Sequence, residues 1–126
     1  MKLPHLERWN ALRRQRAEWY REALPPDLVD YVPDEPGADV HHLFPVMTEE
    51  RDALAASLAK AGIQTGIHYE LPLPRTQAFS SSGDDCPAAE RRARRQLSLP
   101  MHPHLTRADV EQIASAVTAA VSTVAA

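Results

Sequence analysis

A mostly apolar stripe recurs every three or four positions over residues 4–24, at Leu6, Trp9, Arg13, Ala17, Tyr20 and Leu24, with Leu12 and Trp19 widening the face. The spacing predicts one long amphipathic helix, its flanks carrying Glu7, Glu18 and Glu22 among Arg8, Arg14, Arg16 and Arg21. Pro25-Pro26 ends it, because proline has no N–H to continue the ladder. Arg13 falls inside the stripe and, if buried, must find a carboxylate or carbonyl partner. Two Trp and a Tyr on one helix are a large apolar area for a chain with 6% aromatics, which suggests that part of the face serves a surface outside the chain.

After an irregular, Pro-containing linker at 27–39, residues 40–47 alternate Val40, His42, Phe44 and Val46 against His41, Leu43, Pro45 and Met47 and predict a strand. Pro45 points to an edge position or a bulge. Thr48 is the expected N-cap of a second helix, with Glu49 and Glu50 in its first turn. That helix runs through Leu54, Leu58 and Ala61 to a C′ glycine, Gly62. Ile63, Thr65, Ile67 and Tyr69 then alternate with Gln64, Gly66 and His68, which predicts a second strand running into a loop stiffened by Pro72 and Pro74. Pro87 opens a third helix with four arginines, residues 97–101 form a third strand, and Thr106 with Asp109 makes a variant capping box. Val110, Ile113, Val117, Val121 and Val124 stripe the last helix. The expected fold is a small α/β (α+β) domain: a three-stranded mixed or antiparallel sheet covered by helices, with a long N-terminal helix.

Size adds that 126 residues make one domain with a real core, and too little chain for two. A net charge of −3 gives no reason to expect nucleic acid or an acidic membrane surface. A single cysteine, Cys86, forms no internal disulfide, and no apolar run reaches the ~18 residues of a membrane span, so the expectation is a cytoplasmic protein. The segment at 80–85, SSSGDD, reads as an exposed loop.

Four sets of residues could carry chemistry. His68, Tyr69 and Glu70 stand where regular structure gives way to a rigid loop, a usual place for ligand contacts, although the pattern alone favours a loop histidine bonding backbone and a tyrosine capping the sheet. His41, His42, His102 and His104 invite a metal, but no Cys or acidic partner lies at a telling spacing, so ordinary polar contacts are expected and no metal site is assigned. Cys86 precedes a helix start without a histidine nearby and reads as an inert thiol. Arg91, Arg92, Arg94 and Arg95 could meet a phosphate, but a solvated helix face interleaved with Glu90 is the expected reading.

Five segments, LPHLERWNALRRQRAEWYREAL, VHHLFPV, RDALAASLAKAGIQTGIHY, CPAAE and LSLPMHPHLT, occur in one order and spacing, over Leu3 to about Val121. In these the chain closely resembles the C-terminal small domain of the DegT/StrS family of PLP-dependent sugar aminotransferases. The resemblance implies a substrate-side domain, residues 1–126, with 1–24 as inter-domain helix and 40–126 as α/β core. It implies amino transfer from glutamate or glutamine to a keto-sugar, commonly nucleotide-linked, in a homodimer. His68, Tyr69, Glu70, Pro72 and Arg75 become the substrate-binding loop, with no catalytic or cofactor-binding residue. Glu70 and Pro74 replace the proline and histidine usual in that loop.

The resemblance begins in the middle of the family's protein, without the large domain that holds pyridoxal phosphate and its lysine. PLP chemistry needs a Schiff-base lysine, an acid for the pyridinium nitrogen and donors for the phosphate. Only Lys2 and Lys60 are present, with four glycines from which to build a phosphate cradle. The expectation is therefore a truncated or split enzyme, inactive and without cofactor alone, whose partners are the missing large domain or a homodimer partner and a keto-sugar. A stand-alone binding or interaction module is the alternative.

Overall fold

A 3₁₀ turn at Leu3–His5, started by Pro4, feeds helix α1 (Leu6–Ala23), which stops at Leu24 in extended backbone. The computed structural model describes residues 2–24, 26, 30–31, 39–79 and 85–124. After α1 come β1 (Asp30–Tyr31), β2 (Phe44–Met47), α2 (Arg51–Lys60), a 3₁₀ turn at Leu73–Arg75, α3 (Pro87–Arg95), β3 (Gln96–Leu99) and α4 (Arg107–Val124). No described helix is long and apolar enough to cross a membrane.

The strands form an antiparallel sheet in the order β1-β2-β3. Phe44 faces Leu99 and Met47 faces Gln96, while Asp30 and Tyr31 of β1 face Met47 and Val46. The expected strands at 40–47 and 97–101 thus form as the shorter β2 and β3. The strand expected at 63–69 does not form: Gly66 alone makes a bridge, with reciprocal bonds to Ser98 on the open side of β3 (Gly66 N to Ser98 O 3.0 Å, Ser98 N to Gly66 O 2.8 Å). The burial that strand alternation requires fails too, since Ile63 is buried but Ile67 and Tyr69 are exposed. The edge reading of Pro45 holds only locally. Among the described residues β3 alone lies beside Phe44 and Pro45, but β2 is central at Val46 and Met47. The linker expected at 27–39 contains β1. Its residues 27–29 and 32–38, like 80–84 of the expected polar loop, fall outside the described residues.

The helix ends follow their local signals. Gly62 takes φ +77° and closes α2 in a Schellman motif, its N–H donating to Ala59 O and that of Ile63 to Leu58 O, with Leu58 and Ile63 both buried. Thr48 is not the N-cap of α2, which starts later at Arg51; its Oγ1 instead accepts from Glu50 N at 3.3 Å. Pro87 occupies the first turn of α3 as expected.

Thr106 and Asp109 form the reciprocal box at α4: Thr106 N donates to Asp109 Oδ2 at 2.7 Å and Asp109 N to Thr106 Oγ1 at 3.2 Å. The backbone and side-chain bonds from Thr106 hold the Asp109 carboxyl below its usual range. A depressed carboxyl stabilises the fold above its unfolded pKa, and that contribution is lost as pH falls through the lowered range. Thr106→Ala should cost about 0.5–2 kcal/mol in urea unfolding at neutral pH. The same unfolding series taken down the acid range should show a shallower loss in Asp109→Asn than in the natural chain.

The core gathers Ala17 and Tyr20 of α1 with Leu24 just after it, Phe44 and Val46 of β2, Leu54 and Leu58 of α2, Leu97 and Leu99 of β3, and Val110, Ile113 and Val117 of α4. Val121 packs partly against it, and the side chain of Val124 is outside the described residues. Burial in α1 begins only at Arg16; Leu3 and Leu6 stand exposed and both tryptophans are half-buried. The arginine inside α1 is Arg16, not only the expected Arg13. Its Nε donates to Leu105 O at 3.0 Å, Nη1 donates to Leu12 O and Gln15 Oε1, and its guanidinium lies 4.8 Å from the centre of the Trp19 ring. Arg13 is half-buried, and its Nε makes no hydrogen bond among the described residues.

Candidate functional site

The segment 62–79 begins at the Gly62 cap, buries Ile63 in the core and makes one backbone bridge to the sheet, Gly66 on Ser98. From there His68 folds back over Gly66: a Cβ placed on Gly66 would lie 2.7 Å from His68 Cε1. The absence of a Cβ at Gly66, and not its φ, is what lets the His68 ring take this place. The imidazole Nδ1 lies 3.1 Å from Ser98 Oγ, and Gln96 Nε2 donates to the His68 carbonyl at 3.3 Å. The ring is therefore aimed from β3 while its surface stays exposed.

Tyr69 follows at φ +57°, a left-handed conformation uncommon for a bulky side chain, and is 83% exposed. This reversal is what ends the extended run. Glu70 is exposed, while Pro72 and Pro74 are half-buried around the turn at Leu73–Arg75. Arg75 N bonds Pro72 O at 2.8 Å, and Thr76 bonds Leu73 O through both its N–H and its Oγ1. Arg75 reaches α3: Nε and Nη2 lie 2.7 and 2.6 Å from Glu90 Oε1, with Asp85 3.7 Å away. The acids beside it push the guanidinium further towards its charged form, Glu90 most strongly. Ile67, Tyr69, Leu71, Leu73 and Phe79 all stand exposed, so this loop is also the most apolar exposed stretch of the described chain.

Two open clefts flank the root of the loop. One of about 700 Å³ runs along Ala55, Ala59, Ile63 and Ile67; the other, of about 590 Å³, lies between Gln64, Pro100, His102, Asp109 and Gln112. Neither His68 nor Tyr69 lines them.

The remaining candidates are scattered. His41 is buried at φ +48°, its amide donating to Asp39 Oδ1, while His42 is exposed. His102 and His104 have ring centres 6.3 Å apart, and His104 N donates to His102 Nδ1. Among the described residues no three His, Cys, Asp or Glu converge on a metal-sized position. Arg95 ties to Glu49 at 3.0 Å, whereas Arg91, Arg92 and Arg94 are exposed. Cys86 is the half-buried N-cap residue of α3. Lys2 is exposed, and Lys60 ends α2 in solvent and lines neither cleft. Neither lysine fits the enclosed setting that a Schiff-base cofactor needs.

Sequence reasoning missed Ser98 and Gln96 as the pair that aims His68, and Glu90 as the partner of Arg75. A serine between Leu97 and Leu99 was the available signal. All three are buried, so Ser98 had to find a hydrogen-bond partner.

The model of the DegT/DnrJ/EryC1/StrS aminotransferase family matches residues 1–118. The chain is 38% identical over 112 residues to the pleiotropic regulatory protein of Geobacillus stearothermophilus, covering 83% of this chain and 30% of that protein. It is 36% identical over 122 residues to dTDP-3-amino-3,4,6-trideoxy-alpha-D-glucose transaminase of Streptomyces venezuelae, covering 93% and 32%. The crystal structure of the aminotransferase TlmJ from Streptoalloteichus hindustanus superposes with a TM-score of 0.89 at 30% identity, covering 99% of this chain and 35% of that one. The chain thus spans about a third of the length of the relatives it matches. With the family model matching nearly the whole chain, and relatives at 30% identity or more agreeing in sequence and shape, this protein belongs to the DegT/DnrJ/EryC1/StrS aminotransferase family.

Proposed function

We propose that this chain is the C-terminal, substrate-side domain of a PLP-dependent aminotransferase that moves an amino group from glutamate or glutamine to a keto-sugar, commonly nucleotide-linked. Residues 1–24 serve as the inter-domain helix and 40–126 as the α/β core. The family match over residues 1–118 carries this reading. The sugar-nucleotide transaminase among the relatives supports the substrate class.

In this reading the loop at 67–79 faces the sugar. Ser98 and Gln96 hold His68 so that its second ring nitrogen can bond a sugar hydroxyl, and the exposed Tyr69 offers a phenol beside it. Glu70 sets the charge of the loop tip, and Pro72 restricts its backbone. Pyridoxal phosphate supplies the amine carrier and electron sink of the family's reaction. The chain's own part is to bind and orient the sugar and to exclude water beneath the apolar loop. The lysine comes from the large domain, and the exposed apolar residues of the loop are covered in the assembled enzyme.

The chain, incubated with PLP and freed of excess cofactor, should retain no visible absorbance and transfer no amine from glutamate to a nucleotide keto-sugar. A retained band that glutamate bleaches and Lys60→Ala abolishes would show instead that the domain is catalytic alone. Grafted onto the large domain of the S. venezuelae relative in place of the matching third, the chain should support glutamate-dependent transfer. A folded, PLP-loaded chimera that transfers nothing to any nucleotide keto-sugar would sink the reading.

A further inference from the structure

Between His68 and Arg75 no hydrogen bond or ion pair ties the loop at 67–79 to the rest of the described fold. At its root are the Gly66 bridge, the His68–Ser98 contact and the Gln96 bond to the His68 carbonyl. At its far end is the Arg75–Glu90 pair, which spans fifteen residues of chain. The hydrogen bonds within 69–76 are local ones of the Leu73–Arg75 turn. A segment this sparsely tethered lies at the low-stability end of the molecule, where a small free energy decides position.

Glu90 is suited to be the fixed half. It sits in the first turn of α3, where the helix dipole favours a carboxylate, and its side chain is 22% exposed against 51% for Arg75. Two N–H groups of Arg75 converge on its Oε1, so the contact fixes an orientation as well as a distance. With Glu90 and Asp85 both beside it, the guanidinium charge is offset and attracts an anion weakly.

We propose that Arg75 is a positioning residue: paired with Glu90, it clamps the far end of the loop to α3 and so fixes how His68 and Tyr69 are presented. The functional meaning of the clamp rests on the sugar-facing reading of the loop. The clamp itself does not, and it can be tested on the chain alone without cofactor or sugar.

The test is amide hydrogen exchange, residue by residue, in the natural chain, Arg75→Gln, Glu90→Gln, and the swapped double variant Arg75→Glu with Glu90→Arg. Each single variant should speed exchange of the Arg75 and Thr76 amides, which close the turn, by roughly three- to five-fold, the population change expected of one partly exposed ion pair. Exchange in α1 and α4 should stay unchanged. The swap should recover at least half of the lost protection, and 0.5 M salt should reproduce part of the single-variant effect in the natural chain only. Unchanged exchange at Arg75 and Thr76 in both single variants would overturn the proposal. Faster exchange spread evenly through α1 and α4 would also overturn it, since the pair would then serve global stability. If the exchange results hold but a PLP-loaded chimera transfers no amine, the clamp stands and the aminotransferase reading fails.

Discussion

Tyr20→Ala is expected to bring the domain close to unfolding. Tyr20 is fully buried, stacks on Phe44 with ring centres 4.7 Å apart at 21°, and donates its hydroxyl to Pro100 O at 2.8 Å. One side chain thus joins α1 to β2 through ring packing and to the turn after β3 through a hydrogen bond. Removing a buried aromatic ring costs about 3–5 kcal/mol, a large part of the roughly 5–15 kcal/mol that stabilises a domain of this size. Tyr20→Phe keeps the stack, loses the hydroxyl and leaves the Pro100 carbonyl without that partner, so it should cost only about 1–3 kcal/mol. Burial, with a smaller contribution from Asp109, raises the phenol above its ordinary value of 10.0. The stability held by the neutral phenol is therefore complete below pH 10 and declines as pH rises above it, a decline that Tyr20→Phe should remove. Urea unfolding at neutral and alkaline pH checks both points. A cost for Tyr20→Ala no larger than that for Tyr20→Phe would show that the stack on Phe44 contributes little.

The parts of this fold that sequence expressed well are those whose cause lies within one turn of helix. The Gly62 stop needs only the carbonyls of Leu58 and Ala59, and the Thr106 cap needs only Asp109. Period 3.6 likewise picked out the buried face of α4, because Val110, Ile113 and Val117 all turn to one neighbour set. Arg16 escaped because a charged residue is read as a flank. Its place one turn before Tyr20 puts it on the buried face, and the carbonyl that accepts its Nε belongs to Leu105, 89 positions away.

The same limit explains the strand misread at 63–69. Alternation alone matches a strand there, but whether a ladder forms depends on a neighbour with a continuous edge and on the backbone sign at each residue. β3 supplies one pairing, at Ser98, and Tyr69 then turns into left-handed backbone. For the site, the sequence placed His68 and Tyr69 only as neighbours at the end of an extended run, and the structure leaves both exposed. The groups that aim them come from β3 and α3, and no local spacing announces Ser98, thirty positions on, or Glu90.

Gly66→Ala should separate the site from the fold more sharply than any change in the loop itself. Its φ lies outside the left-handed region, so alanine is compatible with the backbone, and the reduced freedom of the unfolded chain stabilises by about 0.4–1 kcal/mol. Against this, the new methyl would meet His68 Cε1 at 2.7 Å, closer than any real contact allows. The atom it meets is the end of an exposed ring that can swing away, so the strain is relieved by moving His68. The ring then leaves Ser98 Oγ, at a cost of about 0.5–1.5 kcal/mol for the lost hydrogen bond. The two changes nearly offset, and the thermal midpoint should shift by no more than a few degrees. The site does not share that tolerance, since a displacement of about 1 Å in a positioning group can cost on the order of 100-fold in rate. In the chimera that carries the lysine domain, Gly66→Ala should therefore lower kcat/KM by about two orders of magnitude while PLP loading stays the same. Ring resonances of His68 should report the movement in the chain alone, with those of His102 and His104 unchanged as internal references. If the His68 resonances and the transfer rate both survive the substitution, the ring is not held by Ser98 in the way that gives this loop its geometry.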